Sequence, residues 1–298
     1  MMEKRPGIFN DVIGPIMRGP SSSHTAASWR AAKTCMDILN EPLKKAIIDF
    51  DKDGAWASNY REQGTSLGIE GGLLGLEMTD DRMKNTELVA NELGISIHYE
   101  INSFKTNHVN TFRLLLEGIN GKNIKVVAIS IGGGSFEIQN IDGFEVKICG
   151  DFYELCLFNS SKETGLEELK SMFPQSKSIV ESFNSDKRLI NMKFSKEVSD
   201  ETIEKLKRIV SFDELIITKP VLPIVAGNES ELPFTSVASL LEFAEKEDLD
   251  LGALGLIYEQ CQSGLKDSAV IDRMKNLVSI IENSIKTGLE GTTYEDRI

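Results

Sequence analysis

The sequence is short of histidine and tryptophan, pairs none of its cysteines closely, and contains no long apolar run. Each shortage excludes something. The four cysteines, Cys35, Cys149, Cys156 and Cys261, form no C-x-x-C pair, and six residues separate the closest two. A metal site would need ligands converging from remote segments, and a disulfide framework would need an oxidising compartment. Buried small hydrophobes are the expected role of all four, Cys149 and Cys156 sitting at strand positions near a domain boundary. No stretch approaches the roughly 20 apolar residues of a membrane span. The opening MMEKRPGIFND is charged and broken by Pro6 and Gly7, unlike a secretory leader. Cations are also in deficit, with 33 Lys and Arg against 46 Asp and Glu and a net charge of −13. Such a surface repels phosphate backbones and anionic lipid, so neither nucleic acid nor membrane is an expected partner. A cytoplasmic protein is expected.

What is present is an ordinary globular composition, 41% hydrophobic and 27% charged over 298 residues, enough for two domains and an appendage. Residues 1–150 read as mixed α and β. A short strand is expected at Phe9–Ile13, a helix at Ala26–Leu39 and a strand at Lys45–Asp51. A second helix is expected at Asp81–Leu93, with Thr79 as N-cap. Strands follow at Ile95–Ile101, Asn110–Glu117 and Ile124–Ile131, then a hairpin turning at Asp142-Gly143. Residues 151–224 read as β-α-β-β-α-β, the ferredoxin-like order, with strands Tyr153–Phe158, Ser178–Phe183, Arg188–Phe194 and Glu214–Thr218. Helices are expected near Thr164–Met172 and Ser199–Ile209. After a linker carrying Pro220, Pro223, Gly227 and Pro233, residues 235–298 read as three short amphipathic helices. Their apolar stripes are expected to need a partner surface, because no further domain follows Gly291.

The most informative segment is Gly14-Pro-Ile-Met-Arg-Gly-Pro-Ser-Ser-Ser-His-Thr25. Gly19 and Pro20 turn the chain sharply, and Ser21, Ser22, Ser23, His24 and Thr25 gather hydroxyls and an imidazole at a helix start. Backbone N–H groups and the positive dipole end there suit an anion such as a carboxylate. The same dipole favours a neutral His24, which a general base requires. The plain alternative is an N-cap with spare serines, which accounts for one hydroxyl and not for three with a histidine. Arg18 is either a carboxylate partner or a surface charge. His98 falls on the polar phase of a strand, and His108 in a loop compatible with a site.

Gly-Pro-Ser-Ser-Ser-His-Thr resembles the signature of the beta chain, or beta domain, of iron–sulfur-dependent L-serine dehydratases. Other segments keep that family's order: Gly64-Thr65 ahead of Gly71-Gly72-Leu73-Leu74-Gly75, His108-Val109-Asn110-Thr111, and Ser130-Ile131-Gly132-Gly133-Gly134. The resemblance implies an α/β fold made of a mixed-sheet beta domain (1–150), an ACT-like domain (151–224) and helices like those that begin the alpha domain (235–298). It implies β-elimination from L-serine to pyruvate and ammonia, with a 4Fe-4S cluster as Lewis acid. That cluster would be held by cysteines of an alpha domain or alpha subunit and by no residue of this chain, in an oligomeric enzyme. It makes His24 the base candidate with Ser23 beside it. Ser21, Ser22 and Thr25 become substrate-facing hydroxyls, and Asn110 and Thr111 line the same pocket or an effector site.

The chain also departs from the family. Glu62-Gln-Gly-Thr-Ser66 stands where Gly-His-Gly-Thr-Asp is frequent, Val109 replaces a proline, and Asn159-Ser-Ser-Lys-Glu-Thr164 lacks the glycine-bearing ligand loop of an ACT domain. Two other readings stay open: a non-catalytic amino-acid-binding regulator, and a lyase for another β-substituted amino acid such as cysteine or threonine. Gly132-Gly-Gly134 imitates a nucleotide loop, but a hairpin follows where a helix would be required. Asp49-Phe-Asp-Lys-Asp-Gly54 imitates a calcium loop, but Tyr60 occupies the position that needs a glutamate.

Overall fold

The computed structural model describes residues 5–159 and 164–291, and these are mixed α and β. Residues Phe9–Gly227 form one compact unit, and the described parts of Met1–Ile8 and Asn228–Ile298 form another.

The larger unit begins with a surprise. Phe9–Ile13 is not a strand, because Ile8–Val12 winds into a π-helical turn. The cause lies 214 residues away: the Asn10 amide donates to the Ile224 carbonyl at 2.8 Å and accepts from its N–H at 2.9 Å. Helix α1 spans Ala27–Leu39, and strand β1 spans Leu43–Asp51. Helix α2, Thr65–Leu73, is absent from the sequence reading because Gly68, Gly71 and Gly72 depress helix propensity. Those glycines let two helices approach closely. A β-carbon on Gly68 would lie 2.1 Å from the Thr25 carbonyl oxygen, and one on Gly72 2.5 Å from that of Trp29. The next helix is also shorter than its periodicity suggests. A 3-10 turn occupies Asp81–Asn85, helix α3 is confined to Thr86–Glu92, and Asp80 rather than Thr79 provides the cap by accepting from Arg82 N–H.

Strands β2 (Ser96–Asn102), β3 (Thr111–Gly118), β4 (Asn123–Gly132), β5 (Ser135–Ile141) and β6 (Phe144–Ile148) complete a six-stranded sheet in the order β2-β1-β3-β4-β5-β6. Only β1 and β2 run parallel, through the α2–α3 crossover. Alternate residues Ala46, Ile48 and Phe50, then Phe112, Leu114 and Leu116, then Val126 and Ala128 join Ala27, Ala31, Cys35 and Ile38 of α1 in one core. The register sets Phe50 opposite Phe112, and Phe112 opposite Ala128.

The remainder of this unit is β7 (Tyr153–Phe158), α4 (Leu166–Met172), β8 (Ser178–Asn184), β9 (Lys187–Phe194), α5 (Asp200–Ile209) and β10 (Glu214–Thr218). Its four strands pair antiparallel in the order β10-β7-β9-β8. Ser199 starts α5 by accepting from Thr202 N–H. One sheet face packs Leu155, Leu157, Ile190 and Met192 on Leu169 and Leu206 of the helices. From the other face Cys156, Phe158, Leu189 and Ile216 enter the core of the first sheet. The sequence 159–164, lacking the expected ligand loop, lies outside the described residues at 160–163.

In the smaller unit, helices α6 (Val237–Glu247), α7 (Leu251–Ser263) and α8 (Asp267–Glu290) follow the linker. The first two stripes find partners inside the unit: Leu232, Phe234 and Leu254 form a small core with Leu240, Phe243, Ile257 and Tyr258. On α8, Val278, Ile281, Ile285 and Leu289 remain exposed. Among the described residues no helix is long and apolar enough to cross a membrane.

Candidate active site

The Ser21–Thr25 segment is not a side-chain cap of α1, whose N-cap position is Ala26. Ser21 has extended backbone, and its carbonyl accepts from the N–H of His24 at 3.2 Å and of Thr25 at 2.7 Å. A π-helical turn, Ser22–Ala26, therefore runs directly into α1. Such wide turns recur at functional sites because they reorient one side chain within a helix. The Ser21 hydroxyl makes no capping bond. It lies 3.0 Å from Nδ1 of His24 and 3.2 Å from the Ser23 hydroxyl. A hydroxyl–hydroxyl–imidazole chain results, and Ser21, Ser22, Ser23 and His24 are all half-buried.

Thr25 lies beneath them. It is fully buried, and its hydroxyl donates to the Gln63 carbonyl at 3.4 Å, tying the turn to the connection before α2. Gly64, at φ +83°, leaves room for this contact, since a β-carbon there would meet Thr25 Oγ1 at 2.3 Å. Gln63 thus takes part through its backbone.

The imidazole rests against Trp56, with ring centroids 5.4 Å apart and planes tilted by 32°. Burial lowers the His24 pKa below its ordinary value. Desolvation of the ring is the cause of this direction. Trp56 is the neighbour of the candidate site that sequence reasoning overlooks, because it sits on a loop with no periodicity to flag it.

Ser130, on β4, joins the remaining pieces. Its hydroxyl donates to the Ser23 carbonyl at 2.7 Å and its N–H to the Asn110 carbonyl at 3.2 Å, while its own carbonyl accepts from the Asn110 amide at 3.4 Å. Asn110 N–H donates to Nδ1 of His108 at 3.1 Å. Buried Thr111 donates to the His108 carbonyl at 2.6 Å. Ala55 N–H donates to the Val109 carbonyl at 2.8 Å, so the loops bearing Trp56 and His108 are stitched together. The three glycines ending β4 turn at φ +96°, +62° and +90°, and Arg30 of α1 donates to the Gly134 carbonyl at 2.6 Å. Only glycine occupies three successive left-handed positions without strain.

Other candidates lie elsewhere. Arg18 is held by the Asp80 carbonyl at 3.1 Å and by an ion pair with Asp81. Exposed His98 pairs with Ser96 at 2.7 Å. Asp49 is buried against Arg113, Nε to Oδ2 3.0 Å, and Asn102.

Two of the four cysteines do not suit an iron–sulfur cluster, and Cys149 and Cys261, expected to be buried, are only partly so. Cys35 and Cys156 are fully buried in the core, where desolvation pushes both thiols up, Cys156 to about 12. Iron ligation needs thiolates. Among the described residues, no three histidine, cysteine or acidic side chains converge to hold a metal ion.

Ser130→Ala tests the junction. It strips the Ser23 carbonyl of its donor, and stability should fall by about 1–3 kcal/mol. Urea denaturation measures this, and an unchanged midpoint would remove Ser130 as the connector.

No family model matches the chain. It is 30% identical to the L-serine dehydratase beta chain of Peptoniphilus asaccharolyticus over 203 residues, 67% of this chain and 90% of that protein. It is 33% identical over 152 residues to the "Probable L-serine dehydratase, beta chain" of Bacillus subtilis (strain 168), 51% of this chain and 68% of that protein. With nine-tenths of one relative's length matched at this identity, the chain belongs to the L-serine dehydratase beta-chain family.

Proposed function

We propose that this chain contributes the substrate-anchoring and proton-abstracting loop of an L-serine dehydratase, working with an alpha chain or alpha domain that holds an iron–sulfur cluster. The observation that carries the reading is the 3.0 Å bond between Ser21 Oγ and His24 Nδ1 on a half-buried ring. A base requires the tautomer in which Nδ1–H donates to Ser21, Ser21 passes its proton toward Ser23, and Nε2 keeps its lone pair. The lowered pKa keeps that lone pair available at neutral pH. Substrate carboxylate is held at the helix start by the N–H groups of Ser22 and Ser23 and nearby hydroxyls. Nε2 takes the Cα proton and returns it to the departing β-hydroxyl, which leaves as water, and the resulting 2-aminoacrylate tautomerises to the imine and is hydrolysed to pyruvate and ammonia. Asn110 and Ser130 keep the loop in place, and Thr111 closes the loop behind Asn110.

The cluster's ligands are assigned to the alpha partner, because Cys35 and Cys156 are buried in the core and no three ligating side chains converge among the described residues. Both relatives are named as beta chains, which supports such a partner. We read residues 1–150 as the substrate domain, 151–224 as a ferredoxin-like module of ACT type, and 235–298 as the start of an alpha domain. The strand order β10-β7-β9-β8 supports the second assignment.

Two measurements test the reading. Titrating L-serine against L-serinamide, which lacks the carboxylate, should shift amide resonances of Ser21–Thr25 only with L-serine. Affinity should be millimolar, since the dipole alone gives roughly 0.3–1 kcal/mol. Shifts confined to Tyr153–Thr218 would favour a regulatory amino-acid binder. Anaerobic reconstitution with iron and sulfide should leave this chain colourless alone. A stoichiometric visible band lost on mutating Cys149 or Cys156 would overturn the division of labour.

A further inference from the structure

We propose that Trp56 is a positioning residue for His24, an aromatic wall that fixes the plane of the imidazole and keeps water from one of its faces. This rests on the reading of His24 as the base, and adds the residue that orients it.

The His24 ring has two visible constraints. Ser21 fixes one edge through Nδ1, which leaves rotation about that bond open. Trp56 removes this freedom by lying against the ring at 5.4 Å and 32°. A wall can orient its neighbour only if it is immobile itself. Trp56 is 1% exposed, stacks on Phe112 at 5.0 Å and 28°, and meets Phe50 edge-on at 6.2 Å. Phe50 and Phe112 are register partners on adjacent strands, so the indole is backed by the sheet itself. Behind it, Phe50, Tyr60 and Tyr99 continue the packed rings. The backbone is pinned as well, through Ala55 N–H to the Val109 carbonyl.

The indole N–H supplies a second observation. Trp56 Nε1 is buried and has no hydrogen-bond partner among the described residues. Leaving such a donor unpaired carries a desolvation penalty, and a phenylalanine would fill the ring position without it. For comparison, the indole N–H of Trp29 donates to the Leu76 carbonyl at 2.6 Å. The larger ring is therefore retained against a local penalty, consistent with a task that depends on its face. The imidazole lies against this indole and bonds the Ser21 hydroxyl, and burial accounts for the direction of its titration.

The chain allows a test that needs no activity. Indole emission is quenched by a neighbouring imidazolium, and the chain has only two tryptophans. Fluorescence of the wild type should fall as pH drops through the His24 pKa, with a midpoint below about 6.5. That component should vanish in both Trp56→Phe and His24→Asn. By NMR, His24 should titrate below about 6.5 in wild type and Trp56→Phe, and move up toward it in Trp56→Leu. Nuclear Overhauser contacts between the two rings in the wild type guard against a leucine variant that fails to fold. Absent ring contacts, or an unmoved His24 midpoint in a folded Trp56→Leu, would overturn the positioning role. Because these are structural readouts, they can succeed while the catalytic reading of His24 fails, and the reverse.

Discussion

Replacing His24 by alanine, in the enzyme completed by its alpha partner, should lower kcat by ~10²–10⁴-fold and raise KM far less. On the proposed reading, losing the base removes an interaction made in the transition state and leaves the proposed carboxylate contacts of the loop in place. The fold should tolerate the change, because the ring is only half-buried and Ser21 keeps its neighbour Ser23. Steady-state kinetics across pH add an independent check. The free base is needed, so kcat/KM should rise with pH through the His24 pKa, placing an acid limb below about 6.5. The linkage sign agrees. With its folded pKa depressed, neutral His24 costs nothing above the unfolded value, and stability is lost as pH falls from there through the folded value. A variant that keeps more than about a tenth of wild-type kcat would exclude general-base catalysis by His24.

The second large effect is expected at Gly68. A glycine-to-alanine change within a helix normally stabilises by up to about 1 kcal/mol. At Gly68 the sign should reverse, because the new β-carbon would meet the Thr25 carbonyl oxygen at 2.1 Å and Ser28 Oγ at 2.2 Å. Backbone blocks escape on the first contact. The Ser28 hydroxyl on the second is already committed to the carbonyls of Thr65 and Thr25, at 3.0 and 3.2 Å. Overpacking of this kind costs about 1–3 kcal/mol or more. In a unit of this size 3 kcal/mol lowers Tm by roughly 6–12 °C. The damage should be directional, since Thr25 is the floor beneath His24, so activity should fall beyond what lost stability explains. Gly255→Ala on α7 is the control. Among the described residues, no atom beyond its chain neighbours and its own helix backbone lies within 4 Å of the new β-carbon, and stability of the helical unit should rise by up to about 1 kcal/mol. A Gly68→Ala protein as stable as wild type would refute the close α1–α2 approach.

Much of the fold was legible because its cause is local. The alternation of Ala46, Ile48 and Phe50 identifies β1, the turn at Asp142-Gly143 identifies its hairpin, and Ser199 announces α5. Errors came where remote contacts override local preference. Phe9–Ile13 reads as a strand until Ile224 captures Asn10 and winds the segment. Helix α2 is invisible to propensity, because its glycines serve the packing against α1 and penalise the helix that carries them.

For the site, sequence alone determined which residue types are available: three serines, a histidine and a threonine in one run, with a second run at His108–Thr111. It could not say which hydroxyl faces solvent, since capping and anion-binding loops use the same residues. Tertiary structure decided that Thr25 is a buried anchor while Ser21 turns to the imidazole. It also decided that Ser130 joins segments about a hundred residues apart, and that Trp56 stands beside His24. These outcomes follow from strand register: pairing Phe50 with Phe112, and Phe112 with Ala128, brings the ends of three strands together, and a linear pattern carries no record of that alignment.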